Sequence, residues 1–455
     1  MKLWMDVMRD LESVMNNHEV IFDAWAEGGV VGVVFGPPVF GTNKLSQGAQ
    51  TLKVAEATAV TFDPNPEVYR RLNVEPPAPP DNRMPDQRAL FEKTLQSAKD
   101  HGFAVSIMYA DTGAGPGGQG YYLQDEHSLR ARAARMIDTL EHYPMAQGAV
   151  MDGPEWGYEI AAHHMNYRSY FFNDLPEAVA PLCAELGYDY QALVAAKDRF
   201  FTRLHNLNSR QVRLHRGGGL LGAFHLLGAD PDMLAWMRFR AESMTTYLRR
   251  LRQTIDTHTS RPLKLSIGPR SAAFAPLTGM DLGALGGFMD YLHPKHYFFH
   301  RGFDGFVGTV YRWVETLCEW NPGLSDADAL GVVEAFFGIE LPGVEKRVDF
   351  ESALSPEFFQ QVVTLETGRA LAAVDDPTRL VPWLDTGRFP HDGDPMSARD
   401  LRMLLESAGE AGLERFLYHH QGNLSPGEWV VMSQICGVEW NPRTSAYEPA
   451  DQLVL

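Results

Sequence analysis

Short β-branched and aromatic runs alternate with helical periodicities along most of this 455-residue chain. The runs cover residues 30–35, 57–62, 104–109, 148–152, 263–267, 289–292, 380–385 and 415–420. Each is short and nearly continuous in apolar side chains, the pattern of a strand buried on both faces. Helical patterns stand between them, among them 86–101, 128–142, 231–257, 304–319, 325–338 and 397–411. Such alternation predicts a parallel sheet. Eight strands with intervening helices predict an α/β chain folded as a (β/α)8 TIM barrel, with its site at the C-terminal strand ends. Long helical patterns over about 160–258 read as a helical insertion after strand 4. The expected division is an N-terminal helical segment over 1–28, the barrel over 29–425, and a C-terminal helix and tail over 426–455. An open doubly wound sheet would show a glycine-rich phosphate turn leading straight into a helix. The glycine run Gly113 to Gly120 does not, and suits an active-site loop.

Acids, imidazoles and aromatics gather where the predicted strands end. The fourth run opens into Asp152-Gly153-Pro154-Glu155-Trp156-Gly157-Tyr158-Glu159. Three carboxylates and two aromatics are a poor choice for a plain turn. They suit sugar cleavage, in which one carboxyl moves a proton, a second acts as nucleophile or base, and aromatic faces carry the pyranose. Asp63 and Asp111 follow the second and third runs, though acids there are often solvated loop residues. Glu159 also suits the first turn of a helix. Asp290 lies within its run and suits a structural ion pair. Arg270 ends the fifth run, His293, Lys295, His296 and Tyr297 follow the sixth, Trp383 and Asp385 end the seventh, and His419 and His420 end the eighth. Adjacent histidines in a strand point to opposite faces, so one of His419 and His420 is expected inside the barrel.

A net charge of −18 argues against nucleic acid or an anionic membrane as partner. The three cysteines are far apart and have no metal spacing, which suits a reducing compartment. No apolar run is long enough to span a bilayer and no signal peptide is apparent, so a cytoplasmic protein is expected. Homo-oligomerisation is left open. No Gly-x-Ser-x-Gly elbow occurs. A catalytic metal is not expected, since the loop after the first predicted strand is Gly36-Pro37-Pro38, without histidine.

The segments Trp236-x-Arg238-Phe239-Arg240-Ala241-Glu242-Ser243, Leu263-Lys264-Leu265-Ser266-Ile267, Met289-Asp290-Tyr291-Leu292-His293-Pro294 and Val381-Pro382-Trp383-Leu384 resemble bacterial TIM-barrel glycoside hydrolases and their relatives. The resemblance spans roughly residues 30–420. It implies an acid/base glutamate after strand 4, which falls on Glu155, although the usual Asn-Glu-Pro is replaced by Pro154-Glu155-Trp156. The second carboxylate is expected at Asp385 or Asp152, or at Glu334 or Glu340 if 330–337 is a strand. Trp156, Tyr158 and Trp383 are expected as sugar platforms. Arg270, His293, Lys295, His296, Tyr297 and His420 are expected to bind substrate, with Glu159, Asp63 and Asp111 as further contacts. The substrate would be a carbohydrate and no cofactor is required. The alternatives are a metal-dependent hydrolase or lyase on the same barrel, and a barrel that binds sugar without cleaving it.

Overall fold

The computed structural model describes all residues except 8–10, 37–61, 81–82, 110–124, 162–169, 174, 300–304, 352–354, 386–395 and 450–455. Eight parallel strands form one sheet: β1 (Lys2–Val7), β2 (Val30–Phe35), β3 (Ala104–Tyr109), β4 (Gly148–Met151), β5 (Lys264–Ile267), β6 (Tyr291–Leu292), β7 (Trp383–Asp385) and β8 (Arg415–His419). Their order is β6-β5-β4-β3-β2-β1-β8-β7. The ring closes between β6 and β7, where Val381 N donates to Leu292 O at 2.9 Å and Trp383 N to Pro294 O at 3.0 Å. The (β/α)8 barrel expected from the sequence is the fold observed.

The N-terminal helical segment needs correction. Lys2–Val7 is a strand, paired with both β2 and β8. Helix α1 follows over Leu11–Glu27. The strand expected over 57–62 lies outside the described residues except for Phe62, which stands in a bend. In the sheet β2 and β3 pair directly, from Gly32 with Ala104 to Phe35 with Ile107.

Alternate residues of the strands point inward. Trp4, Val34, Met108, Val150, Tyr297, Val381, Trp383 and Leu417 fill the barrel as one cluster. Two glycines make room for its indoles. A Cβ on Gly32 would lie 2.3 Å from Trp4 Cδ2, and one on Gly268 would lie 2.0 Å from Trp383 Cζ3. The outward residues, such as Leu3, Val33 and Ile107, join the larger core beneath the helices.

The longer outer helices are α2 (Pro85–Asp100), α3 (Glu126–His142), α4 (Pro231–His258), α5 (Phe306–Trp320), α6 (Asp326–Phe337), α7 (Ala398–Glu410) and α8 (Pro426–Cys436). Their starts are written in the sequence. Asp230 accepts from Met233 N ahead of Pro231 in α4, and capping boxes of Ser397 with Asp400 and Ser425 with Glu428 open α7 and α8. Between β4 and β5 the chain also forms helices over Tyr190–Leu204 and Gly219–Leu227. Residues 330–337 belong to α6 and not to a strand, so Glu334 and Glu340 are no strand-end acids. No helix among the described residues is long and apolar enough to cross a membrane.

Candidate active site

The segment after β4 is strapped to its surroundings at successive residues. Trp156 N donates to Thr278 O at 3.0 Å. Its indole Nε1 lies 3.1 Å from Arg240 O and 3.2 Å from Ser243 Oγ on α4. Arg240 donates to Gly157 O at 2.5 Å and to Leu277 O at 2.6 Å. Trp313 Nε1 donates to Tyr158 O at 2.9 Å. Glu159 is fixed by Arg312, whose Nε and Nη2 donate to Oε1 at 2.9 and 2.6 Å. The aromatic-arginine segment of α4 is therefore the clamp under the acidic segment.

This clamp corrects several expected roles. Trp156 is 2% exposed and Tyr158 1%, so neither offers an open face to a sugar. Trp383 is 1% exposed inside the barrel. All three aromatics pack instead of forming platforms. Glu159 is buried in an ion pair with Arg312. Arg270 is fully buried, donating to Thr309 Oγ1 at 2.7 Å and lying 4.0 Å above the Tyr158 ring. Asp63 pairs with Arg83 on the exposed surface, and Asp111 lies outside the described residues. Asp290 has the structural role expected of it, bonded to Arg252 at 2.5 Å, Lys264 at 2.8 Å and Leu265 N at 2.8 Å. Burial alone would raise its carboxyl, but these donors outweigh burial and hold it below the ordinary value.

Among the described residues, four acids remain at the C-terminal face. Asp152 continues the inward phase of Val150, Asp385 that of Trp383, and Asp6 that of Trp4, while half-buried Glu155 sits on the clamped segment. Lys295 joins two sides of the mouth. Its backbone bridges to Trp383 on β7, and its Nζ reaches Asp152 after β4 at 2.9 Å. Asp385 stands in register with His419. Asp6, which sequence patterning missed, lies 2.5 Å from His419 Nδ1 through Oδ2. Its strand is short and runs into α1, so its period-2 signal was absorbed into a helical one. Both His419 and His420 approach Asp6, the latter at 4.0 Å. The expected opposition of the two imidazoles fails because β8 ends at His419, and His420 lies beyond the pleat. Tyr297 stacks on His419 with centroids 5.6 Å apart.

His293 and His296 are both buried. His293 lies inside the barrel, its Nδ1 2.8 Å from Val381 O and its ring stacked on Trp383 at 5.8 Å. His296 takes the outward phase, beside Phe298. Burial pushes His293 down to about 4 and His296 to about 3. Both are neutral at pH 7, whereas an unfolded histidine protonates near pH ~6.5. Between those values the unfolded chain binds more protons, so stability falls as pH drops from about 6.5 toward 4. Urea midpoints measured across that range should decline for the wild type and decline less for His296→Phe. Equal slopes would mean that His296 does not couple to folding.

A cleft of about 1020 Å³ lies elsewhere, between Gly219–Leu227 and the C-terminal end of α6. Glu334 and Glu340 line it. No described strand residue lines it, and the barrel mouth holds the convergent acids and bases, which makes the mouth the candidate site.

No protein-family model matches this chain, and no curated protein sequence does. Solved structures do match. The PgaB (BpsB) glycoside hydrolase domain from Bordetella bronchiseptica is 12% identical, with 95% of this chain and 98% of that chain covered and a TM-score of 0.51. The fold shared with that domain is the (β/α)8 barrel. Group IV chitinase from Ostrinia furnacalis matches at 9% identity over 96% of this chain and 99% of that one, with a TM-score of 0.45. The likeness is one of fold. Side-chain roles in this chain rest on its own geometry.

Proposed function

We propose that this chain hydrolyses a glycosidic bond in a carbohydrate, with Glu155 as proton donor and Asp385 as the second carboxylate. The observation that carries this reading is Lys295, which spans from its β7 neighbour to Asp152 and so draws the ends of β4, β6 and β7 to one mouth. Acid catalysis of glycoside cleavage needs carboxyls on two sides of the scissile bond. Glu155 and Asp385 come from strand ends that are not neighbours in the sheet, whereas Asp152 and Glu155 share one segment. Glu155 protonates the leaving oxygen, and Asp385 attacks the anomeric carbon or activates water. Asp152, bonded to Lys295, accepts from sugar hydroxyls. A separation of about 5–5.5 Å between the working carboxyls gives retention and about 6.5–9.5 Å gives inversion.

The test is turnover of a panel of aryl α- and β-glycosides and oligosaccharides by wild type and by Asp385→Asn. Wild-type turnover is expected, with a loss of at least about 10²-fold in a folded Asp385→Asn. Absence of turnover on both substrate types, or an unaffected variant, would sink the assignment.

A further inference from the structure

Asp6, His419 and His420 meet where the first and last strands of the barrel lie side by side. Each offers one ligand atom, and these atoms all lie within 4.8 Å of one another. All three are buried, at 0%, 6% and 1% exposure. We propose that they form a binding site for one divalent transition-metal ion.

The donor set is the first reason. Two imidazoles and one carboxylate are a ligand set of catalytic zinc sites and of non-haem iron sites. Three protein ligands leave a further position for water or a substrate oxygen. The spacing is the second reason. Metal–ligand bonds of about 2.0–2.2 Å put neighbouring ligand atoms roughly 3–3.5 Å apart. Asp6 Oδ2 stands 2.5 Å from His419 Nδ1 and 4.0 Å from His420 Nδ1, distances that bracket this value. Small rotations of the side chains admit the ion. His419 then takes the tautomer with its proton on Nε2, so that Nδ1 offers its lone pair to the ion.

The third reason is support. Asp6 belongs to β1 and His419 ends β8, and the two strands are hydrogen-bonded in register up to Met5 with Tyr418. Asp385 pairs with His419 from the other side, and Tyr297 stacks on its ring. A ligand set held on strands and oriented by neighbours is what a preorganised metal site requires. The site does not depend on the glycosidase reading. Metal binding without glycoside turnover would remove that reading alone, and turnover without metal binding would remove this one.

The experiment is a calorimetric titration of the chelator-treated, desalted full chain with Zn²⁺. The wild type is compared with His420→Ala, Asp6→Asn and a control, His225→Ala. The control removes one ring of the His215–His225 stack, whose centroids are 5.3 Å apart, an unrelated place where Zn²⁺ can lodge. One ion per chain is expected, weakened at least about 100-fold in the first two variants, as a direct ligand should matter at least as much as a supporting residue. The control should bind as the wild type does. Failure of the wild type to bind one equivalent, unchanged binding in folded His420→Ala and Asp6→Asn, or loss in the control overturns the site. If the buried variants do not fold, Co²⁺ added to the wild type decides. Intense visible bands of a four- or five-coordinate ion at one equivalent support the site, and weak octahedral bands overturn it.

Discussion

Glu155→Gln is expected to lower kcat/KM by about 10²–10⁴-fold on glycosides with poor leaving groups. The loss should shrink on dinitrophenyl glycosides, whose leaving oxygen departs without a proton. The substitution keeps the shape of the side chain and removes only the proton it can deliver. Position should be unaffected, because the segment is held through Trp156, Gly157, Tyr158 and Glu159 and not through Glu155 alone. Initial rates on a leaving-group series would check this. An equal loss across the series would mean that Glu155 does not serve as the acid.

Arg312→Leu should destabilise the fold by about 3–5 kcal/mol, because it leaves the Glu159 carboxylate buried without its cation. Glu159 is 1% exposed and Arg312 7%, so water cannot take the place of the guanidinium. Replacing both by leucine and methionine should recover much of the loss, since the desolvation of two charges offsets most of their attraction. Urea unfolding of the two variants would measure both effects. A loss below about 1 kcal/mol in Arg312→Leu would mean the pair is hydrated like a surface bridge. The consequence for activity is separate, since a loosened Glu159 frees one end of the segment that carries Glu155.

Seven of the eight strands were legible because each falls in a short, largely apolar run between helical patterns. The exception, Lys2–Val7, has its apolar residues next to α1, and one merged period hides the boundary. Losing that strand also lost Asp6. The inward positions of Asp152 and Asp385 followed from the barrel alone, because the end of a strand fixes where its next inward side chain points, whereas Glu155, beyond the strand, was singled out by the resemblance. The aromatic and arginine roles did not follow. Whether Trp156 faces a sugar or the core depends on Arg240 and Ser243, which lie more than eighty residues away and arrive only through the packing of α4. Arg270 likewise finds Thr309 and the Tyr158 ring through tertiary contacts that no local pattern records.

The bond between Asp6 and His419 spans 413 positions of the chain. At about 5–20 residues per second, a ribosome takes on the order of 20–80 s to make that stretch. During all that time Asp6 is synthesised but has no imidazole to meet. The β1 edge waits equally long for β8, while β2 to β5 can already assemble beside it. Whatever chemistry depends on Asp6 and His419 therefore switches on only when the last strand is seated, so an incomplete chain cannot perform it.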